Sequence, residues 1–270
     1  NEGASAIAQS KNLESLTVLE LHDNNYNLST ATALMDLRIR ILIKRHLSGT
    51  ELNLSGKRLE NKGLIALARS DQLAGVETLL LRNNHFDHVG LNALAQSEHL
   101  ASLKSLNLMD NSIRNRGAII LAESKAFSGL NSLNLENCGI MPAGILALAK
   151  SATLKNLKEI TLNKNEIKEK GIQHLAASGN FSNLTSLKAG DVSIGDLAVK
   201  TLVLSRHLGK LQELRLNGNS ITRDGLDSLH DTPNLTALKK IDLRRNHLLY
   251  EDCIFLTDSP RFKNLEVVRF

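Results

Sequence analysis

One period constrains this chain more than any other feature. The second leucine of a recurring Leu-x-Leu falls at Leu54, Leu81, Leu108, Leu135, Leu162, Leu216 and Leu243, and Ala189 and Phe270 stand in the same column. Every step is 27 residues. A spacing kept without a break marks a chain built from one unit copied many times. Residues 105–124 (SLNLMDNSIRNRGAIILAES) and 132–151 (SLNLENCGIMPAGILALAKS) show two copies side by side. One earlier marker, Leu21, stands 33 residues before Leu54, so that unit carries six extra residues, placed within 34–47. The opening GASAIAQS resembles the end of a still earlier unit.

Other columns keep the same period. Three residues after the marker stands Asn24, Asn84, Asn111, Asn165, Asn219 or Asn246, with Lys57, Cys138 and Val192 as exceptions. Five after it stands Leu59, Phe86, Ile113, Ile140, Ile167, Ile194, Ile221 or Leu248. Nine after it stands Gly63, Gly90, Gly117, Gly144, Gly171 or Gly225, and in the unit of Ala189 the glycine is replaced by Ala198. Leu-x-Leu alternates with period two, which turns both leucines to one face of a short strand. The asparagine closes that strand, where its amide can bond turn backbone and stack into a ladder. Beyond the isoleucine the spacing becomes helical: Ile145, Leu148 and Ala149 share one face, and Pro142 suits a first helical turn. One such unit cannot bury its apolar face alone, whereas stacked copies can.

Together the columns spell LxxLxLxxNxIxxxGxxxLA. This resembles the leucine-rich repeat, nearest to the ribonuclease-inhibitor-like subfamily, in which each unit carries a helix. The resemblance spans essentially the whole chain. It implies an α/β solenoid over 1–270 of about ten repeats, with a parallel β-sheet on the concave face and helices on the convex face. The chain opens in a helix pattern and stops on a strand pattern without evident caps, so we expect a fragment of a longer protein. The unit around Ala189, Val192 and Ala198 is expected to be a looser joint. The insertion LMDLRIRILIKRHL, with Arg38, Arg40, Lys44 and Arg45, is expected to be a longer solvated helix, an N-terminal seam or a partner-contacting bump.

Chemistry is hard to find in the sequence. GxxxxGK[ST], HExxH and GxSxG do not occur, nor does GxGxxG after a strand. His85 and His247 occupy equivalent turns in distant repeats and cannot share a metal. Cys138 and Cys253 lie four repeats apart, about 19 Å at ~4.8 Å per strand, too far for a disulfide. Cys253 falls in an apolar helix column. We therefore expect no catalytic residue, no metal and no cofactor. No apolar run is long enough to cross a membrane as a helix. Net charge is +5, and aromatic residues make up only 3%, too few for the stacking platforms of a single-strand nucleic-acid binder.

Function is then sought on the outward side of the strands. The column between the leucines reads Glu20, Asn53, Leu80, Asn107, Asn134, Thr161, Lys188, Arg215, Asp242, Arg269. The column after the marker includes His22, Arg82, Met109, Glu136, Asn163 and Arg244. Leu80 and Met109 on adjacent repeats, beside Arg82, read as an interface spot among Asn107, Asn134 and Glu136. Lys188, Arg215, Lys240, Arg244 and Arg269 read as a basic end, diluted by Glu213 and Asp242. These residues are the expected partner-binding set. The partner is expected to be another protein, an enzyme with an acidic surface in the sharpest version, bound by a monomer in the cytoplasm. By family resemblance the chain would inhibit or regulate that enzyme, and a secreted bacterial effector acting in host cytosol fits the same resemblance. The alternatives are a GTPase-activating-type regulator using Arg82 or Arg114, and a nucleic-acid binder using the basic end.

Overall fold

A computed structural model describes residues 2–10, 13, 16, 26–230, 234–252, 262 and 264–270. The expected marker Leu21, with Glu20, His22 and Asn24, lies outside them, as does Cys253. From Glu51 onward the strands are β2 (Glu51–Asn53), β3 (Thr78–Leu80), β4 (Ser105–Asn107), β5 (Ser132–Asn134), β6 (Glu159–Thr161), β7 (Ser186–Lys188), β8 (Glu213–Arg215), β9 (Lys240–Asp242) and β10 (Val267–Arg269). Each pairs in parallel with the next in sequence, and the register is set by the period: Leu106 lies beside Leu133, and Asn107 beside Asn134. A parallel pair needs a long crossover, and from β2 to β9 each unit supplies a helix for it. These are α3 (Glu60–Ala68), α4 (His88–Ala95), α5 (Arg114–Glu123), α6 (Pro142–Ala149), α7 (Lys168–Ala176), α8 (Asp196–Val203) and α9 (Arg223–His230).

Both leucines of each Leu-x-Leu point inward. Leu79 and Leu81, Leu106 and Leu108, and Leu133 and Leu135 are all sealed from solvent. They form one core with the helix columns, such as Leu121, Ile145 and Leu148. Packed helices need about 8–10 Å each and paired strands about 4.8 Å, so a stack of such units curves with the sheet inside. The outward strand residues therefore line the concave face.

The asparagine column forms the expected ladder. Asn111 donates through Nδ2 to the carbonyls of Leu81 (2.9 Å) and Leu108 (2.9 Å), and its Oδ1 accepts the N–H of Asn84 (2.9 Å). Asn84, Asn165, Asn219 and Asn246 repeat the pattern. Cys138 keeps part of it: its thiol donates to the Leu108 carbonyl at 3.2 Å, and burial pushes its pKa up to about 12. A second ladder runs along the helix side. Ser97, Ser124, Ser151, Ser178 and Ser205 each donate to an alanine carbonyl of the preceding unit at 2.6–2.7 Å.

The glycine column has a steric cause. A Cβ at Gly117 would stand 2.5 Å from the Ile113 Cβ, and one at Gly144 would stand 2.7 Å from the Asn115 Oδ1. That oxygen caps the helix of the next unit by accepting the N–H groups of Met141 and Gly144. Asn61 does the same for Asp87 and Gly90. The units also alternate. Helices α3, α5 and α7 start one residue earlier in their units than α4, α6 and α8, through the left-handed residues Glu60, Arg114 and Lys168.

The insertion resolves into packing. Helix α2 (Leu28–His46) has 19 residues, and β1 (Leu47–Ser48) turns back antiparallel to β2 at the sheet edge. Helix α2 lies between α1 (Glu2–Gln9) and α3, burying Leu34, Leu37, Ile39, Ile41 and Ile43. Arg38 donates to the Lys57 carbonyl (2.7 Å) and Arg40 to the Ala8 carbonyl (3.3 Å). Helix α2 is the longer helix expected: it packs against a neighbour on two sides, two of its arginines bind backbone, and Arg40, Lys44 and Arg45 remain exposed. The N-terminal seam describes it.

Candidate functional site

Alternation along each strand sends the residue between the two leucines to the concave side. Around β3–β6 that side is polar and internally bonded. Asn107 and Asn134 turn back on their own chain, each Oδ1 accepting the N–H two residues on, at Met109 (3.0 Å) and Glu136 (2.9 Å). Glu136 receives the Lys164 ammonium at 2.9 Å and the Asn163 amide at 3.2 Å. Its hydrogen bond and charge raise the Lys164 pKa. Leu80 and Met109 do stand on adjacent repeats on this face, but both are half-buried rather than freely exposed. Arg82 is exposed and donates to the Asp110 carboxylate across the strand at 3.0 Å. The carboxylate fixes the direction of this guanidinium.

The basic end spans β7–β10 and differs from a plain row of like charges. Glu213 lies between Lys188 and Arg215: the Arg215 guanidinium sits 2.6 Å from it and the Lys188 ammonium 3.9 Å. The Ser186 hydroxyl donates to the same carboxylate at 2.7 Å. Asp242 is only 4% exposed and takes two bonds from Arg244, at 3.0 and 2.6 Å. Burial pushes both carboxyls up, but the hydrogen bonds and charges of these partners outweigh it and hold both below their ordinary values. The expectation that Glu213 and Asp242 merely dilute the cations is corrected: they anchor Lys188, Arg215 and Arg244. Among the described residues, the side chains of Lys240 and Arg269 enter no ion pair.

A cleft of about 120 Å³ opens over the last strands, lined by Glu213, Arg215, Lys240, Ile241, Asp242, Val267 and Arg269. The structure thus gathers Arg215, Lys240 and Arg269 at one place. Lys188 and Arg244 stand beside it through their carboxylates. Leu80, Arg82 and Met109 form a separate group four to five strands away.

Sequence reasoning missed one contact near this end. Arg245 reaches Asp191 at 2.7 Å, spanning two repeats. It passes over Gly218, where a Cβ would stand 2.9 Å from the arginine Nη2. The two residues share a turn column two positions after the marker, and a glycine between opposite charges in that column is the available signal.

Comparison with known proteins agrees with this architecture. A leucine-rich-repeat family model matches residues 99–122 and 207–229. No curated protein matches the chain in sequence. Among solved structures, internalin C2 of Listeria monocytogenes is similar with a TM-score of 0.52 and 20% identity, over 87% of this chain and 84% of that one. An internalin F structure from the same organism is similar with a TM-score of 0.50 and 20% identity, over 98% of this chain and 86% of that one. At such identity the likeness is one of fold. The in-register sheet, the inward leucines, the asparagine ladder and the repeat matches make this chain a leucine-rich-repeat solenoid.

Proposed function

We propose that the chain is a protein-binding scaffold that uses its concave face and does no chemistry of its own, regulating or inhibiting a partner enzyme with an acidic surface. Leucine-rich-repeat folds generally serve as protein-binding scaffolds. The observation that carries the reading is the state of the outward side chains. They are fixed in place by bonds within and across strands, as at Asn134, Glu136 and Glu213, so little side-chain entropy remains to be lost on binding. Half-buried Leu80 and Met109 supply apolar contact beside the oriented Arg82. Glu213 and Asp242, held ionised and bonded to cations, suit anchoring better than proton transfer. The 27-residue unit with a helix in each supports placement nearest the ribonuclease-inhibitor-like subfamily.

The test begins with the immobilised chain and a partner captured on it. Leu80→Asp combined with Met109→Asp should weaken capture by about tenfold or more, as loss of a buried interface spot does. Lys168→Glu combined with Lys170→Glu, at the start of α7, should leave it intact. Adding the purified chain should change the captured enzyme's turnover. The reverse pattern of variants would move the site to the helix side.

A further inference from the structure

We propose that the cleft over β8–β10 receives a carboxylate side chain of an acidic peptide segment in the partner, held between Lys240 and Arg269. The inference rests on the concave-face reading and gives it a chemistry. Five cations gather at this end, and three of them are already satisfied. Arg215 and Lys188 face Glu213, and Arg244 grips Asp242. Lys240 and Arg269 have no ion pair or side-chain hydrogen bond among the described residues, and the Asp242 carboxylate whose charge reaches Arg269 is already bonded to Arg244. Register places Lys240 beside Val267 and Asp242 beside Arg269. The two cations are thus diagonal neighbours on adjacent strands of one face. Their Cα atoms lie about 8 Å apart, from ~4.8 Å between strands and ~6.6 Å along one. Two long side chains at that separation can converge on a single carboxylate.

Shape narrows the occupant. The cleft holds about 120 Å³, roughly four waters at ~30 Å³ each, which suits one acidic side chain with its methylenes. Its lining includes half-buried Val267, apolar surface for the stem of a glutamate. The outward residues of β7–β10 are Ser186, Lys188, Glu213, Arg215, Lys240, Asp242, Val267 and Arg269, with no aromatic ring on which a base could stack. An acidic peptide is therefore favoured over a nucleic-acid strand.

The experiment measures fluorescence anisotropy of three labelled probes with the 270-residue chain: hexaglutamate, hexaglutamine and an eight-nucleotide deoxythymidine strand. Hexaglutamate should bind at least about tenfold tighter than hexaglutamine and weaken as salt rises to about 0.3 M. Lys240→Gln with Arg269→Gln should lower its affinity about tenfold, while Lys168→Gln with Lys170→Gln should not. Circular dichroism would confirm that each variant is folded. Equal binding of hexaglutamine, an unaffected double variant, or tighter binding of the oligonucleotide through the same two residues would each overturn the proposal. Partner capture separates this outcome from the broader reading. If Lys240→Gln/Arg269→Gln retains the partner while Leu80→Asp/Met109→Asp loses it, the cleft inference falls and the concave face stands. If both variants retain it, both readings fall.

Discussion

Residues 105–124 and 186–205 are the same unit written with different care. In the first, Asn111 is buried, donates to three carbonyls and accepts one N–H. In the second, Val192 holds that place and Ala189 replaces the marker leucine, yet both are sealed from solvent. The units share the serine ladder, through Ser124 to Ala95 at 2.7 Å and Ser205 to Ala176 at 2.6 Å. Around the second unit, Asn219 still accepts the Val192 N–H at 3.1 Å, and Arg245 clips Asp191 from two repeats away. A unit is thus tied to its neighbours by several separate ladders. It can lose one rung and a share of core volume without leaving the register, because the others fix it.

The comparison breaks first at the core. Leu135 is fully buried between neighbouring units, and Leu135→Ala should cost about 2–5 kcal/mol by lost transfer and cavity. Urea melts would show it, and a cost near zero would mean that the inward column is not the core. The asparagine rung comes next. Asn111→Ala leaves the buried Asn84 N–H without its acceptor and takes one donor from the Leu81 and Leu108 carbonyls, which keep the Asn84 amide and the Cys138 thiol, at about 1–3 kcal/mol. If instead it cost no more than an exposed substitution, the ladder would be ornament and the loss at Val192 would need no compensation.

Val192→Asn runs the comparison backwards. The new amide would face the Asn165 and Ile167 backbone, as Asn219 faces Val192 and Ile194. A restored rung should stabilise by about 0.5–1.5 kcal/mol, less the burial lost with the valine. Hydrogen exchange should then slow at 186–205 relative to 105–124. Unchanged exchange would show that this unit is not the joint at which the stack opens.

Much of this was legible in the sequence, for a reason that also sets the limit. A 27-residue period copies each environment, so a column that stays apolar must face the core, and Leu106 and Leu133 do. The asparagine and glycine columns followed from the same logic. What escaped were features without a compositional mark. Glu60, Arg114 and Lys168 adopt left-handed backbone although none is glycine or asparagine, so the alternation of helix starts was hidden. The seam at α2 stood as one of three readings and could not be singled out, because apolar residues on two faces of a helix look like weak amphipathicity until a second neighbour, α1, is in place. At the candidate site the charges were visible but their pairing was not. Whether Asp242 dilutes Arg244 or anchors it depends on its burial, which only packing decides.

The smallest predicted effect contrasts two buried-side carboxylates of opposite sign. Asp242 titrates below its ordinary value in the folded chain, since bonds and charge from Arg244 outweigh burial. Its contribution to stability is present above the unfolded carboxyl range, near pH ~4, and is lost as pH falls through the lower folded value. Glu169 is shifted the other way. Burial raises its carboxyl, the Asp196 charge adds to this, and the Gly195 N–H at 2.7 Å opposes both. Its second oxygen is buried and has no hydrogen-bond partner among the described residues. Its contribution is therefore present below the unfolded value and is lost as pH rises through the raised one. Glu169→Gln keeps an acceptor for Gly195 and removes the ionisation. At neutral pH it should be neutral or stabilising by less than about 1 kcal/mol, and the gain should vanish below about pH 4. Urea midpoints of the two chains across that range would decide it. A variant less stable at neutral pH would show that the carboxylate is a needed cap for α8 and that the unit at 186–205 depends on its charge, whereas a difference that does not change with pH would show that the Glu169 ionisation does not act on folding.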